Sequence, residues 1–421
     1  MTDDIEWYVG FDWASETHCA CLMDRAGRVV GKREVAHAGA DLAELCDWLI
    51  RKTGAEPGRI GVAIETPHGP VVETFLERGF AVFAINPKQL DRFRDRFTVA
   101  GTKDDSRDAQ VLGDSLRTDS RAFRRLVIDD PVRIELREWS RIEDELKRER
   151  TRLANRVRDQ LWRYYPQMLQ LSEDLAEDWL LALWRRVPTP AKAAKASEAT
   201  IQRILKAHRI RRIEAPEVVR ILRQTPLKVA AGASEAASAH IRSLAERIGL
   251  INQQLKTAER KLEQLLTRLE QAAQDQAGQD QAGQMSEQRD VTILRSMPGI
   301  GRTNLATLLA EGSEPLGRRD YHVLRTLSGV APVTRRSGKA WMVLRRLACN
   351  RRLRNALYHW ARVATQHDPV SRQRYAALRG RGHSHGRALR SVGDRLLYVA
   401  CTLLRRQVLF DPDHNSLEAA A

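Results

Sequence analysis

Residues 6–35 read EWYVGFDWASETHCACLMDRAGRVVGKREV. Three short β-rich runs, 6–14, 17–24 and 28–35, are joined by turn-like gaps, which is the pattern of an antiparallel meander. Downstream, DLAELCDWLIRKTG (41–54) carries apolar residues at helical spacing and ends on Gly54, a residue type that commonly closes helices. RIGVAIETP (59–67) is a nearly continuous apolar run, as expected of a strand buried on both faces. A helix from about Pro70 to Arg78 and a strand, FAVFAIN (80–86), follow.

Three meander strands, then helix, strand, helix, strand, is the element order of an RNase H-like α/β fold, expected over residues 1–128. Residues 129–272 read as a helical, coiled-coil region. IELREWSRIEDELKRERTRLANRVRDQLW (134–162) and IRSLAERIGLINQQLKTAERKLEQLLTRLEQ (241–271) space their apolar residues three and four apart. Neither stripe is buried by its own helix, so each must pair with the other or with a second protomer. Arg148, Arg150, Arg152, Arg156 and Arg158 are further candidates for nucleic-acid contact. QDQAGQDQAGQ (274–284) is a tandem pentapeptide with no apolar anchor, and marks 273–289 as a flexible linker. A mainly α-helical domain is expected over 290–410, and a disordered tail over 411–421.

The 421 residues carry a net charge of +16. Between Arg295 and Arg406, 22 arginines and one lysine face five Asp or Glu, a net +18, so the rest of the chain is slightly acidic. A basic third dominated by arginine suits phosphate oxygens, which the planar guanidinium meets in two-point contacts. The five cysteines form no CxxC pair and no Cys/His zinc spacing. Cys19 and Cys21 read as small core residues on one face of a strand. The acidic N-terminus lacks a signal-peptide apolar stretch, and no run of about 18 apolar residues is present to span a bilayer. A soluble, cytoplasmic protein is expected.

Asp12 closes the first strand and Glu65 closes the later one, so both acids fall at a rim of the sheet. GTKDDSRDAQVLG (101–113) adds Asp104, Asp105 and Asp108 at the start of a helix. Acid-rich helix starts are common because the first turn carries partial positive charge, and a lone Asp after a strand is more often a turn or cap residue. Four carboxylates at one rim repel one another unless cations neutralise them. Mg2+, a hard ion with oxygen ligands, is the natural occupant. On a helix, i/i+3 and i/i+4 pairs share a face, so geometry alone allows Asp105 or Asp104 with Asp108.

In the basic third, LRSMPGIGRTNLATLLAEGS (294–313) reads as a helix-hairpin-helix. Gly299 and Gly301 allow close backbone approach, and N–H groups at the next helix start, beside Arg302, suit a phosphate. A plain helical turn is the alternative. LSGVAPVTRRSGKAWMVLRRLACNRRLRNAL (327–357) follows. Ser337 stands among Arg335, Arg336 and Lys339, with Arg345, Arg346, Arg351, Arg352 and Arg354 beyond. A hydroxyl among guanidiniums suits attack on a phosphodiester whose developing charge they stabilise. From composition alone, Ser337 is an ordinary loop hydroxyl, and Ser328 is a weaker candidate.

Taken together, GFDWA, AIETP, TKDDSRDA, MPGIG, LSGVAP, RRSG and YAALRGRGHSHGRALRSVGDRLL resemble the insertion-sequence transposases of the IS one-ten type, to which the Piv DNA invertase is related. The resemblance covers both ends of the chain and skips its middle. It implies a RuvC-like domain with an Asp-Glu-Asp-Asp metal site, here Asp12, Glu65, Asp105 and Asp108 with Mg2+. The family register, not the spacing, selects Asp105 over Asp104. It further implies a C-terminal domain whose serine nucleophile is Ser337, and DNA strand transfer through a phosphoserine intermediate. A bridge RNA pairing with donor and target DNA is implied as guide, and a homo-oligomer, dimeric and then tetrameric at synapsis. Two alternatives stay open from the residues, a metal-only RuvC-like nuclease and a non-catalytic nucleic-acid scaffold, and the resemblance itself leaves open a Piv-like site-specific invertase.

Overall fold

The computed structural model describes residues 4–14, 16–85, 87–94, 105–127, 130–230, 232–275, 285–338 and 340–412. The chain forms two compact units, Met1–Asp130 and Pro131–Ala421.

In the first unit, β1 (Trp7–Asp12), β2 (Thr17–Met23) and β3 (Val29–Ala36) form the expected antiparallel meander. Then come α1 (Gly39–Thr53), β4 (Ile60–Ile64), α2 (Pro70–Glu77), β5 (Ala81–Ala84), α3 (Pro87–Arg94), α4 (Asp105–Thr118) and a two-residue strand, β6 (Arg124–Arg125). The sheet order is β3-β2-β1-β4-β5-β6, with β4 parallel to β1 and β5 parallel to β4. α1 stops where Gly54 adopts φ 64° and donates its N–H to Ile50, a left-handed closure that costs glycine little. All five residues of β4 are buried. Leu45 and Leu49 of α1 and Val72 and Phe75 of α2 cluster with Val9, Phe11 and Val62 of the sheet. A separate cluster joins Leu90 of α3 and Leu112 and Leu116 of α4 to Ala63 and Phe83. Cys19 and Cys21 are buried on one face of β2 beside Ala109 of α4, and none of the five cysteines is in a disulfide.

The second unit opens with the 34-residue α5 (Pro131–Tyr164). Four shorter helices follow: α6 (Asp178–Arg186), α7 (Pro190–Ala194), α8 (Glu198–Ala207) and α9 (Ala215–Leu222). The chain returns along the 43-residue α10 (Ala233–Asp275). Lys261 pairs with Glu135 at 2.7 Å and Arg247 with Glu149 at 3.3 Å, so α5 and α10 lie antiparallel within one chain. Their heptad stripes therefore face each other. One end of the pair closes on α6, α8 and α9 through Leu153, Trp179, Trp184, Ile201, Val218 and Ile248. At the other end, Leu136, Leu262, Leu265 and Leu266 enter a different cluster, with the C-terminal helices. The expected division of middle from C-terminal region is not a division between compact units.

Those helices are α11 (Met285–Arg295), α12 (Arg302–Glu311), α13 (Ser313–Gly317), α14 (Tyr321–Leu327), α15 (Arg351–His367), α16 (Pro369–Gly380) and α17 (His385–Arg406). Between α14 and α15 the chain forms an antiparallel hairpin, β7 (Val333–Ser337) and β8 (Ala340–Leu344), in a region expected to be helical. Residues 276–284, most of the expected linker, and 413–421, most of the expected tail, lie outside the described residues. No helix among the described residues is long and apolar enough to cross a membrane.

Candidate metal centre and nucleic-acid interface

β1 and β4 are parallel neighbours with Phe11 opposite Ile64, so Asp12 and Glu65 follow side by side at the carboxyl edge of the sheet. Both are half-buried. α4 lies across β1 unusually closely. A methyl on Gly10 would collide with the Ala109 carbonyl oxygen and come 2.5 Å from the Gly113 nitrogen. Leu116 approaches Gly61, which pairs with Tyr8, whereas Ala109 meets Gly10 two residues further along β1. The helix thus runs against the strand, with its first turn toward Asp12 and Glu65. Asp108 sits in that turn and is only 8 % exposed. Asp105 is the first residue of α4, and Asp104 lies outside the described residues.

His18 of β2 lies 1 % exposed beside this edge. Its Nδ1 accepts the Ala14 N–H at 3.2 Å and its Nε2 meets His37 Nδ1 at 2.9 Å, while Trp13 stacks on its ring. Burial lowers its pKa below the ordinary value of 6.5, and the neighbouring His37 lowers it further. These contacts tie down the segment that leaves Asp12. Among the described residues, no three His, Cys, Asp or Glu side chains close into a group able to hold a metal ion. The donor chemistry still fits a hard divalent cation: every candidate offers carboxylate oxygens, and the buried Asp108 stands in the first turn of a helix.

In the second unit, α11 and α12 are joined by a turn through Pro298–Gly301, and the two glycines have different roles. A methyl on Gly299 (φ 73°) would come 2.7 Å from the Ala364 nitrogen of α15, and Trp360 Nε1 donates to the Pro298 carbonyl at 2.9 Å. Gly299 therefore serves helix packing. Gly301 is exposed at the N-terminus of α12 with open space around its α-carbon. Arg302 pairs with Glu259 of α10 at 3.3 Å.

Ser337 is exposed at the end of β7 and is followed by Gly338 at φ 55°. Lys339 lies outside the described residues. Arg335 and Arg336 precede Ser337 on β7 and are exposed, as are Arg345 beyond the far end of β8 and Arg351 at the start of α15. Other predicted contacts have partners within the chain. Arg346 donates to the Ala331 carbonyl at 3.3 Å, Arg352 pairs with Asp144 at 3.1 Å, and Arg354 lies 3.9 Å from the Cys349 sulfur. On α5, Arg148 pairs with Asp144, Arg150 with Asp174 and Asn252, and Arg158 with the Glu173 carbonyl. Ser328 is fully buried with its hydroxyl on the Arg325 carbonyl, which removes it as a nucleophile.

Two family models match the chain: a DEDD transposase domain of the IS110 type over residues 9–166, and the transposase IS116/IS110/IS902 family over residues 291–376. The mini-circle putative transposase for IS117 of Streptomyces coelicolor is 32% identical over 97% of this chain and 96% of its own length. The chain belongs to this transposase family. The putative transposase y4uE of Sinorhizobium fredii is 60% identical over 53% of this chain, a match that spans 62% of that relative's length. A 43.6 kDa protein of insertion element IS110, also from Streptomyces coelicolor, is 24% identical over 97% of the chain. The DEDD domain of this family member spans Asp12, Glu65, Asp105 and Asp108 and suggests a divalent metal. It also runs past Asp130 into α5. The second match spans Gly299, Ser337 and the arginines through Arg354. Gly10, Gly113 and His18 had no place in the sequence reading. The signal available for the first two was a glycine in each of the motifs VGFD and VLGD, two residues before Asp12 and one before Asp114.

Proposed function

We propose that this chain is an enzyme that cuts and rejoins DNA strands for an insertion element of its family, with Ser337 as nucleophile. The observation that carries the serine is its place at the exposed tip of a hairpin between Arg336 and the turn, in a segment with no Asp or Glu from Tyr321 to His367. In the proposed reaction the Ser337 Oγ–P bond forms as the P–O3′ bond breaks. The hydroxyl gives up a proton and the departing 3′ oxygen gains one. A 3′ hydroxyl from a second duplex then attacks the same phosphorus, and the Ser337 oxygen leaves and is reprotonated. One phosphodiester is lost and one formed, so rejoining needs no nucleotide cofactor. Arg335, which shares the Ser337 face of the hairpin, and Lys339 are assigned to steadying the phosphate charge during both displacements.

Asp12, Glu65, Asp105 and Asp108 are proposed to hold Mg2+ in an RNase H-like, RuvC-like domain. A divalent ion bound there would neutralise charge on the phosphate and on the leaving oxygen. The support is the adjacency of β1 and β4 and the seating of α4 on Gly10. Guidance by a bridge RNA, and oligomers that join the acids of one protomer to the serine of another, are proposed from family membership. Gly301 and the helix start behind it are proposed as a phosphate contact of a helix-hairpin-helix.

The test is to trap the covalent adduct. Ser337→Ala should abolish both strand exchange and the protein–DNA adduct, and an adduct surviving that change overturns the serine assignment. A metal-only nuclease is the competing reading, because Asp12, Glu65 and Asp108 share one compact unit and Ser337 lies in the other. In that case Asp12→Asn would stop cleavage while Ser337→Ala left it intact. Sequencing the RNA that co-purifies with the protein tests guidance separately.

A further inference from the structure

The β7–β8 hairpin stands exposed on both of its faces. An isolated two-stranded ribbon is marginal in water, and ribbons ordinarily cover one face with a core. Here Trp341 is 75% exposed, Met342 56% and Val343 53%, and Leu347 just beyond is 77% exposed. Across strands, Arg336 lies opposite Trp341 and Thr334 opposite Val343, so these four share one face. Arg335, Met342 and Ser337 belong to the other face. The stretch 333–347 holds five cations (Arg335, Arg336, Lys339, Arg345 and Arg346) and no acid. An electrostatic groove needs only the cations. A large indole held in water beside a guanidinium calls for a flat apolar partner that is also anionic, and an unstacked nucleobase on its phosphate backbone is that partner.

We infer that Trp341 is a base-stacking residue: the hairpin enters DNA with Ser337 toward the scissile phosphate and the Arg336–Trp341 face against an unpaired base beside it. Ser337 is one position beyond Arg336 along β7, about 3.3 Å of rise, so the indole and the hydroxyl lie near the same level on opposite faces. A two-stranded ribbon is slim enough to enter a DNA groove. Wedging a base out of the stack would hold the phosphate in place while the strands are exchanged. The inference rests on the strand-transfer reading above and adds to it the residue that grips the base.

The test uses the full chain and a mixed-sequence DNA oligonucleotide carrying 2-aminopurine, single-stranded and as a gapped duplex, with an RNA of the same sequence alongside. Trp341→Ala should weaken DNA binding about tenfold, as expected for loss of one stacked base, and should remove the change in 2-aminopurine emission. Trp341→Tyr should restore most of both, since any aromatic face stacks. The dependence of binding on salt should be unchanged in Trp341→Ala, and should fall by about one charge in Arg336→Ala. Trp341 packs in no core, so the Ala variant should melt like the parent. Three results overturn the inference: Trp341→Ala binding DNA like the parent, a loss confined to RNA, or a loss that tracks a change of oligomeric state in light scattering. A parent chain that binds no DNA overturns the strand-transfer reading as well. Undiminished binding by Trp341→Ala overturns the stacking alone.

Discussion

Gly10 sets how closely α4 approaches β1. Gly113 faces it on the helix, where an added methyl would come 2.9 Å from the Gly10 nitrogen, so backbone meets backbone with no side chain between. Gly10→Ala should push the first turn of α4 away from Asp12 and Glu65. The N-terminal unit should lose about 1–3 kcal/mol, the usual cost of overpacking, read from its thermal melt. Strand exchange should fall by far more than that loss of folded protein explains. Among the acids, Asp105→Asn should abolish activity and Asp104→Asn should retain most of it in the same strand-exchange assay. The reverse order would move the metal ligand to Asp104. Asp12 and Glu65 were legible because a strand that ends in an acid is visible as a pattern. Gly10 was not, because a glycine inside a strand reads only as a weak spot until the helix crossing it is known.

At the level of elements, the meander, α1 and β4 were legible because each has a periodicity of its own and a turn residue to close it. The β7–β8 hairpin was hidden for the opposite reason. VTRRS has no alternation of apolar and polar residues, since neither face is buried, and only Gly338 marked the turn. The link from β1 to β2 makes the first unit sensitive to pH. His18 Nδ1 accepts the Ala14 N–H, so that nitrogen must be unprotonated in the folded state. The folded pKa of His18 lies below its ordinary value, through burial first and His37 second. The unfolded chain therefore binds the proton more readily. The stability contributed by His18 is complete above pH 6.5 and declines as pH falls from 6.5 toward the lower folded pKa. Denaturant melts of the protein between pH 8 and pH 5 (about the range in which histidine titrates) should show the first unit weakening on the acid side. His18→Gln should flatten that slope, and an unchanged slope would place the effect on another group.

Over the whole molecule, the long helices α5 and α10 belong to two cores at once. Their heptads announced a partner without saying which, because an apolar stripe looks the same whether it meets its own chain or another. The pairing within the chain makes the serine-bearing region dependent on Leu136, about 150 residues before Met285, as well as on the end of α10 just before it. Leu136 of α5 and Leu262, Leu265 and Leu266 of α10 are fully buried among the helices α11–α17. Each such leucine is worth about 2–5 kcal/mol when removed from a core, and a whole domain is stable by only about 5–15 kcal/mol. A fragment beginning at Met285 therefore loses more than it has in reserve. It should show no cooperative thermal transition and should expose apolar surface to a dye such as ANS. A fragment from Pro131 to the C-terminus keeps both cores and should melt cooperatively. Leu265→Ala in the full chain should lower that same transition while leaving the melt of residues 1–130 unchanged, because the first unit's clusters hold no residue beyond Leu126. Cooperative melting of the fragment from Met285 would show instead that the serine-bearing helices fold without the long pair, and that α5 and α10 only carry them.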